Sequence, residues 1–447
     1  MLMVLFCDQK NHRLCALVSA VLCVVWASTA RAEQLLTISS VGVFSPADAP
    51  EGLSGITYAS GNQYYVVEDS GALMHPLTIS LNTATGAITS ASFASAVTLA
   101  GTDLEGIAYD HAGASVYVSD ETGAMIREYS FSGTSLSTVS VPTVFASYRT
   151  NFSLESLTMR SGGREMWTAN EEALFNAGTG VDDGSLSSTS TGSIVRLQRF
   201  TRSSVSNPWN ADGQWAYQTD PHTGPPFIGS GERSGMSDLT VLPNGKLLVL
   251  EREFGGFIPN FRSRIYEVEL TGATEVSSIM SLSGATYDLT TKSLLWQGDF
   301  ALDNFEGLTL GPQLDNGSFS LLMISDGDDQ PQESLYSLTL DGTIMPLLGD
   351  MDGDHNVTAA DVPLFVQALV DRAGYDSIAL TTLTGFLIDA DLSGDVNQDG
   401  IFDTDDTGAF SALLGGPASA ATIPEPSALT LAVFALLGLL AYARRRS

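Results

Sequence analysis

The sequence predicts a mainly β protein whose largest part is a β-propeller, followed by a small α-helical module and a C-terminal transmembrane segment. One observation is a repeated unit of small turn, apolar strand, polar turn, second apolar strand and acidic end. Another is its spacing, because the first three copies begin 50 residues apart, and a period near 50 with several short strands per unit is typical of propeller blades. The five copies are LSGITYASGNQYYVVEDSG (Leu53–Gly71), DLEGIAYDHAGASVYVSDETG (Asp103–Gly123), SLESLTMRSGGREMWTANEEA (Ser153–Ala173), GMSDLTVLPNGKLLVLEREFG (Gly235–Gly255) and NFEGLTLGPQLDNGSFSLLMISDGD (Asn304–Asp328).

Five copies predict five blades. A degenerate sixth blade within two insertions, 176–193 and 203–234, is the alternative that the sequence leaves open. The segment 33–44 is expected to form the outer strand of the last blade, because a ring closed by both chain ends has no open sheet edge. The propeller would then span residues 33–348.

The outer strands of the blades are predicted from the alternation of apolar and polar residues. They are Ile126–Gly133 and Val139–Phe145 in the second blade, Gly192–Phe200 and Gln214–Thr219 in the third, Ser263–Leu270 and Ser293–Phe300 in the fourth, and Ser334–Leu340 in the fifth.

Composition excludes several classes of function. The chain of 447 residues carries 51 acidic and 20 basic side chains, a formal net charge of −31, which disfavours binding to nucleic acid or to anionic membrane surfaces. Excess carboxylate instead favours cation binding or solubility. The three cysteines, Cys7, Cys15 and Cys23, all lie in the first 23 residues. A chain that lost this segment would have no disulfide, thiolate metal site or cysteine nucleophile.

Residues 1–32 have the pattern of a secretory signal peptide. Lys10 and Arg13 form a basic region, Leu14–Ala27 is apolar, and Ala-Arg-Ala ends the segment at residue 32 as an A-x-A cleavage site. The sequence therefore predicts export, and a permanent N-terminal anchor is the alternative.

Residues 349–414 are predicted to form a separate helical module that binds two calcium ions. The segment 350–406 holds 13 Asp and no Glu, arranged in two 12-residue loops, each followed by an apolar helical pattern. Oxygen-bearing side chains fall at loop positions 1, 3, 5, 9 and 12, and position 7 offers a backbone carbonyl, which suits the six to eight oxygen ligands of calcium. The predicted ligands are Asp350, Asp352, Asp354, Asn356, Thr358 and Asp361 in the first loop, and Asp395, Asn397, Asp399, Ile401, Asp403 and Asp406 in the second.

The paired loops resemble a type I dockerin, in which Asp rather than Glu stands at position 12, as Asp361 and Asp406 do here. The resemblance implies a cohesin-like or matrix partner. The chain departs from the pattern at His355, where glycine is usual, and in its longer spacer between the loops. These departures leave the tightness of the first site and the identity of the partner open.

The C-terminus carries three features in a fixed order. A linker at 415–427 contains Pro424, Glu425 and Pro426; an apolar run follows within 428–447, and three arginines come near its end. This order resembles a PEP-CTERM sorting tail. The resemblance implies recognition by an exosortase-type membrane protease and display at the cell surface or in the extracellular matrix, with the chain anchored in the membrane at least transiently. An ordinary C-terminal anchor is the alternative.

The repeats, with LEG, LES, SDL and FEG before the first strand and acid pairs after the second, resemble the phytase-like (esterase-like activity of phytase) propeller family. The resemblance implies calcium ions in a central channel lined by carboxylates, and the hydrolysis of phosphate esters. The acids carried over by the motif are Glu105, Glu155, Asp238 and Glu306, and Ser54 takes this place in the first copy.

A second set of acids ends the inner strands and is expected to lie near the first. These are Asp69, Asp120, Glu171, Glu251 and Asp326. Residues at equivalent blade positions face the same axis, so several carboxylates would converge there and raise one another's pKa unless calcium or arginine neutralises them. The arginines considered are Arg127, Arg164, Arg252 and Arg264. The alternative is that the acids accept hydrogen bonds from turn amides and hold the blades in register.

The sequence supports two functions of different classes. One is an exported, calcium-binding cell-surface propeller that hydrolyses phosphate or other esters; the other is a non-catalytic surface or matrix protein that binds proteins or polysaccharides. Lys246 and Lys292 are the lysines of the propeller, too few for a highly phosphorylated substrate. A serine esterase is disfavoured, since there is no G-x-S-x-G motif. The histidines that could act as a base are His75, His111 and His222.

Overall fold

A computed structural model describes residues 34–69, 71–160, 162–223, 233–255, 261–326, 333–354, 356–378, 388–398 and 401–414. The predicted signal peptide, linker, sorting motif and membrane segment lie outside these residues, as do His355 and Asp399. Within the described ranges, no helix combines the length and the apolar character needed to cross a membrane. These residues divide into two compact units, one built from 34–346 with 388–389 and the other from 347–378 with 390–414.

The first half of the propeller follows the repeated units closely. Strand β1 spans Thr37–Phe44, and the first blade contains β2 (Leu53–Ser60), β3 (Gln63–Glu68), β4 (Leu73–Leu81), β5 (Ile88–Phe93) and the short β6 (Val97–Thr98), which pairs with β4. The second blade contains β7 (Leu104–Asp110), β8 (Ser115–Asp120), β9 (Met125–Tyr129) and β10 (Ser135–Val139). The strand predicted at Val139–Phe145 is displaced: β10 ends at Val139, and after Pro142 the chain forms a 3-10 helix over Thr143–Ser147.

The third blade begins with a very short strand and carries the first insertion. Its elements in chain order are β11 (Thr158–Met159), β12 (Glu165–Ala169), β13 (Phe175–Asn176), β14 (Val181–Asp182), β15 (Ile194–Thr201) and β16 (Asn210–Gln218). The blade sheet has the order β11-β12-β15-β16, while β13 and β14 form a separate hairpin. The described part of the insertions therefore adds a two-stranded hairpin and not a sixth blade.

The last two blades complete the ring. They contain β17 (Arg233–Val241), β18 (Leu247–Phe254), β19 (Phe261–Glu269) and β20 (Thr291–Phe300), then β21 (Asn304–Gln313), β22 (Phe319–Asp326) and β23 (Leu335–Asp341). The fifth sheet has the order β1-β23-β22-β21, and β1 pairs with β23 from Thr37↔Asp341 to Phe44↔Leu335. The predictions of five blades and of closure by the N-terminal strand are thus confirmed.

The core of the propeller lies between neighbouring blades. Leu53, Val66 and Ile79 of the first blade, for example, pack with Leu322 and Ile324 of the fifth. The inner strands approach one another so closely that glycine is required in three of them. A Cβ at Gly55 or Gly106 would meet the backbone of the next blade, and one at Gly307 would meet the backbone of the first. This close approach brings the first residues of the inner strands of neighbouring blades together.

The second unit holds four short helices, α1 (Asp361–Val370), α2 (Arg372–Asp376), α3 (Ala390–Gly394) and α4 (Asp406–Leu414). Its small core is aromatic. The rings of Phe365 and Phe410 stack with centroids 4.0 Å apart, and Phe402 packs edge-on against Phe365 at 5.2 Å. Phe365 and Phe410 follow the two Asp-rich loops, so the helices after both loops share one core.

Candidate cation site in the propeller channel

Strand pairing defines which residues are equivalent in the five blades. The first motif residue of each blade pairs with one residue near the end of the second strand. These pairs are Leu53↔Glu68, Leu104↔Asp120, Leu154↔Asn170, Met236↔Glu251 and Phe305↔Ser325. The residues that follow each member of a pair are therefore equivalent around the ring.

Two sets of channel residues follow from this register. The inner-strand set follows the first member of each pair and consists of Ser54, Glu105, Glu155, Ser237 and Glu306. The second-strand set follows the other member and consists of Asp69, Glu121, Glu171, Arg252 and Asp326. The sequence prediction included Asp69, Glu171 and Asp326 in the second set, but it chose Asp120 and Glu251 where the register places Glu121 and Arg252.

Direct contacts between neighbouring blades bring these residues together. The hydroxyl of Ser54 in the first blade donates a hydrogen bond to the carboxylate of Glu105 in the second. Glu121 of the second blade accepts the amide of Ser153 at 2.7 Å, just before the third blade. Arg252 of the fourth blade forms ion pairs with Glu171 of the third blade and Glu306 of the fifth. Repulsion by Glu306 raises the pKa of Glu105, and repulsion by Glu105 and Glu306 raises that of Glu155, so these inner carboxylates are near neighbours.

Period-two alternation explains why the neighbouring acids point elsewhere, since successive strand residues face opposite sides of a sheet. Asp120 turns into its own blade and pairs with Arg127 at 2.9 Å. Glu251 accepts hydrogen bonds from Lys292 of its own blade at 2.6 Å and from Tyr217 of the third blade at 2.5 Å. These two acids hold outer strands in place and do not join the channel residues.

Asp238 also has a structural position, because it stands one residue after Ser237, the true equivalent of the inner carboxylates. Its carboxylate accepts the amide of Leu239 at 2.8 Å and that of Leu308, in the fifth blade, at 2.6 Å. Asp238 therefore holds two blades in register, as the alternative reading of these acids expected. Asp238 is 3% exposed, so the loss of either bond would leave a buried amide unpaired.

Burial and mutual repulsion disfavour full ionisation of the channel acids. Burial raises the pKa of Glu105 well above its usual range, and repulsion by Glu306 adds to it. The pKa of Glu155 is raised by burial and then by Glu105. Burial raises the pKa of Glu121 to about 7, although the amide of Ser153 lowers it. A positive charge placed beside these groups would oppose the rise in their pKa, because it favours the ionised form.

Three carboxylates of the second blade form the group best suited to a metal ion. Asp103, Glu105 and Glu121 each offer an oxygen, and these atoms all lie within 4.8 Å of one another. Opposed ligands of a calcium ion lie about 5 Å apart, because calcium–oxygen distances are about 2.3–2.6 Å. Ser153, whose backbone amide donates to Glu121, also has a buried hydroxyl without a hydrogen-bond partner within the described part of the chain. The oxygen-only donor set of the three carboxylates fits a hard divalent cation.

Arg252 neutralises the opposite side of the channel. One terminal nitrogen lies 2.7 Å from Glu306 Oε1 and the other 2.5 Å from Glu171 Oε1. Burial alone would lower the pKa of Arg252, but Glu306, Glu171 and Glu155 outweigh it and raise that pKa. Burial raises the pKa of Glu306 to about 8, although Arg252 opposes the shift. Arg252 therefore stays charged and is held by carboxylates of two neighbouring blades.

The other predicted partners lie elsewhere. Of the remaining arginines, Arg264 pairs with Glu253 at 2.5 Å and Arg164 with Asp389 at 3.6 Å. Lys246 pairs with Glu267 at 2.8 Å. His75, a candidate base, lies in β4 with Nε2 3.5 Å from Glu68. The candidate bases His111 and His222 lie in a turn after β7 and in the segment after β16, respectively.

Sequence reasoning missed Asp103, Glu121 and Asn304 as residues of the channel. The signal that finds them is register rather than residue type. The polar pair at the end of the second strand is Asp120-Glu121 in the second blade and Glu251-Arg252 in the fourth. Strand pairing with the first motif residue selects the second member of each pair, Glu121 and Arg252. Residue type alone cannot separate the members of such a pair, because both are polar at the end of a strand.

The two loops of the helical unit repeat one arrangement. The carboxylate at position 12 of each loop accepts the backbone amides of positions 3 and 9, with N–O distances of 2.8–3.2 Å. The acceptors are Asp361 and Asp406, and the donors are Asp352, Thr358, Asn397 and Asp403. In the first loop, oxygens of Asp350, Asp352 and Asp361 all lie within 4.8 Å of one another. Both loops are therefore wound around their last aspartate, with acidic side chains on the concave side of the first.

Comparison with known proteins shows the family to which the propeller sequence belongs. The family model described as "Phytase-like: Esterase-like activity of phytase" matches residues 49–329, which include all five repeated units. The chain belongs to the phytase-like family. A comparison with curated proteins found no match.

Solved structures similar to this phytase-like chain include hydrazine synthase of Kuenenia stuttgartiensis and a luciferin-regenerating enzyme. The first has 11% identity and a TM-score of 0.31, covering 68% of each chain. The second has 14% identity and a TM-score of 0.33, covering 67% of this chain and 95% of the other.

Proposed function

We propose that this protein is an exported, calcium-dependent ester hydrolase of the cell surface, with its reaction centre in the channel of the phytase-like propeller. The observation that carries the proposal is the convergence of Asp103, Glu105 and Glu121, whose carboxylate oxygens lie within 4.8 Å of one another. Export and surface display rest on the secretory pattern of residues 1–32 and on the sorting pattern of 424–447.

Some channel residues would bind the cation, and others would hold those ligands in position. Asp103, Glu105 and Glu121 would hold calcium, and Ser54 would orient Glu105 through its hydroxyl. When bound, calcium supplies a Lewis-acidic centre that polarises an ester carbonyl or phosphoryl oxygen. The guanidinium of Arg252 is already bound by Glu171 and Glu306, so an anionic substrate gains little from it. The channel therefore suits a neutral or singly charged ester better than a highly phosphorylated one.

Two further calcium ions are proposed for the helical unit. The first loop would use Asp350, Asp352, Asp354, Asn356, Thr358 and Asp361, and the second Asp395, Asn397, Asp399, Ile401, Asp403 and Asp406. The amides that Asp361 and Asp406 accept from their own loops support this proposal, because these bonds tie each loop to the residue at its twelfth position, where a calcium loop has a carboxylate. A cohesin-like or matrix partner is proposed for this unit and an exosortase-type protease for the tail.

A second candidate function is a non-catalytic surface-binding protein in which channel calcium only strengthens the ring. The observation that favours it is that the channel acids also join the blades: Glu121 accepts the amide of Ser153, and Glu171 and Glu306 share Arg252. Residues that hold blades together need no substrate to explain them.

The test uses the full chain with p-nitrophenyl phosphate and p-nitrophenyl acetate, each in calcium and in chelator. Calcium-dependent turnover of at least one ester is expected for the wild type, and its loss in the Glu105→Gln/Glu121→Gln variant, together with one bound calcium. An Asp361→Asn/Asp406→Asn variant should lose the two calcium ions of the helical unit and keep turnover. Loss of calcium from the first variant without turnover in either protein supports the binding function, whereas unchanged calcium content refutes the channel site.

A further inference from the structure

Arg252 occupies a position that is acidic in every other blade. The second-strand set is Asp69, Glu121, Glu171, Arg252 and Asp326, so four blades supply a carboxylate and the fourth supplies a guanidinium. The fourth blade also lacks a carboxylate in the inner-strand set, because Ser237 stands where three other blades have glutamate. Negative charge contributed by the other four blades thus meets one fixed positive charge from the fourth blade.

The surroundings of the guanidinium are those of a bound cation. Its terminal nitrogens lie 2.5 Å from Glu171 Oε1, 2.7 Å from Glu306 Oε1 and 3.3 Å from Asn304 Oδ1. These three oxygens come from the third and fifth blades. Glutamate and amide oxygens are also the side-chain ligands that calcium prefers. The guanidinium therefore stands within a set of oxygens that could serve a divalent ion.

Local structure keeps this arrangement in place. Gly235 pairs with Arg252 across β17 and β18, and a Cβ at Gly235 would lie 2.6 Å from Glu171 Oε1. Glycine at this point leaves the space through which Glu171 reaches the arginine. On the other side, Asn304 donates its amide to Glu306 at 2.8 Å, which turns its own oxygen toward Arg252.

We propose that Arg252 is a built-in replacement for a second channel cation, so that the channel of this chain takes one calcium ion, at Asp103, Glu105 and Glu121, and none at Glu171, Glu306 and Asn304. The inference rests on the proposed calcium site for its first half, while its second half concerns only the residues around Arg252. Neutralising Arg252 creates a second cation site, because the three oxygens remain and a divalent ion would supply the positive charge that the guanidinium supplied beside Glu171 and Glu306.

The test counts calcium in the full-length protein. Wild type, Arg252→Met and Arg252→Lys are saturated with calcium, passed through gel filtration into calcium-free buffer and measured by metal analysis and native mass spectrometry. Arg252→Met, which keeps the length of the side chain without its charge, is expected to bind one calcium more than the wild type. Arg252→Lys keeps the charge and is expected to bind the wild-type number.

Equal calcium content in Arg252→Met and wild type overturns the proposal, and so does an equal gain in Arg252→Lys. Arg252→Gln is a second neutral variant, and it must show the same gain if Arg252→Met does not fold. The melting temperature gives an independent readout, because calcium should raise it further in the neutral variants than in the wild type. The Glu105→Gln/Glu121→Gln variant separates the two proposals: if it loses no calcium, the channel site of the proposed function fails, whatever Arg252→Met shows.

Discussion

The second and fourth blades have the same strand order but bring opposite charges to the channel. At three equivalent positions the second blade places Asp103, Glu105 and Glu121, and the fourth places Gly235, Ser237 and Arg252. The next inner-strand position differs too, with Gly106 in the second blade and Asp238 in the fourth. Propeller blades can therefore keep one fold while one of them carries three clustered carboxylates and another a guanidinium that neutralises its neighbours.

The largest effect is expected from a substitution that disrupts the close approach of the second and third blades at Gly106. A side chain at Gly106 would meet the backbone of Ser156 and Leu157, which cannot move as a flexible side chain could. We expect Gly106→Val to lower the free energy of unfolding by about 3 kcal/mol or more, the cost of forced overpacking. Urea unfolding followed by tryptophan fluorescence measures it. A loss below about 1 kcal/mol would show that the blades can separate without cost at this point.

The second effect concerns the brace of the fourth blade. Asp238→Leu leaves the buried amides of Leu239 and Leu308 without their acceptor, so we expect a loss of about 2 kcal/mol in the free energy of unfolding. Asp238→Asn keeps one acceptor oxygen and should lose less. Calcium content should stay at the wild-type value in both variants. A change in calcium content would mean that Asp238 belongs to the channel site after all.

The smallest effect on stability, and the sharpest contrast in function, comes from adjacent residues of the second blade. Asp120→Asn weakens a partly exposed pair with Arg127 and should cost about 1 kcal/mol of stability, with no change in calcium binding. Glu121→Gln keeps an acceptor for the amide of Ser153 but should lower calcium affinity, because it removes a charged ligand. Isothermal titration measures the calcium affinity of both variants. Weaker calcium binding by Asp120→Asn than by Glu121→Gln would contradict the assignment made from strand register.

Much of the fold is predictable from the sequence because the repeated unit records both inner strands and the turn between them. The N-terminal strand could be assigned to the fifth blade since a ring needs closure. The outer strand of the second blade was placed too late, as Pro142 favours a turn and the alternation before it is weak. Glu105, Glu155 and Glu306 were predicted as converging acids, and the structure brings them together.

The remainder of the site depends on register, which residue type does not encode. One step along a strand moves a side chain to the opposite face, so Asp120 and Glu251 contact residues of outer strands while Glu121 and Arg252 enter the channel. The role of Arg252 could be listed among alternatives but not selected, because its partners come from blades 81 and 54 residues away in sequence.

Closure of the ring also dictates the order in which the protein can mature. Strand β1 is made first, yet its partner β23 is synthesised about 300 residues later, so the fifth blade stays incomplete until almost the whole propeller has left the ribosome. Until β23 is made, β1 has no partner in its own chain, and its unpaired edge is open to other chains. Final assembly of the propeller is therefore a late event, in whichever compartment it takes place.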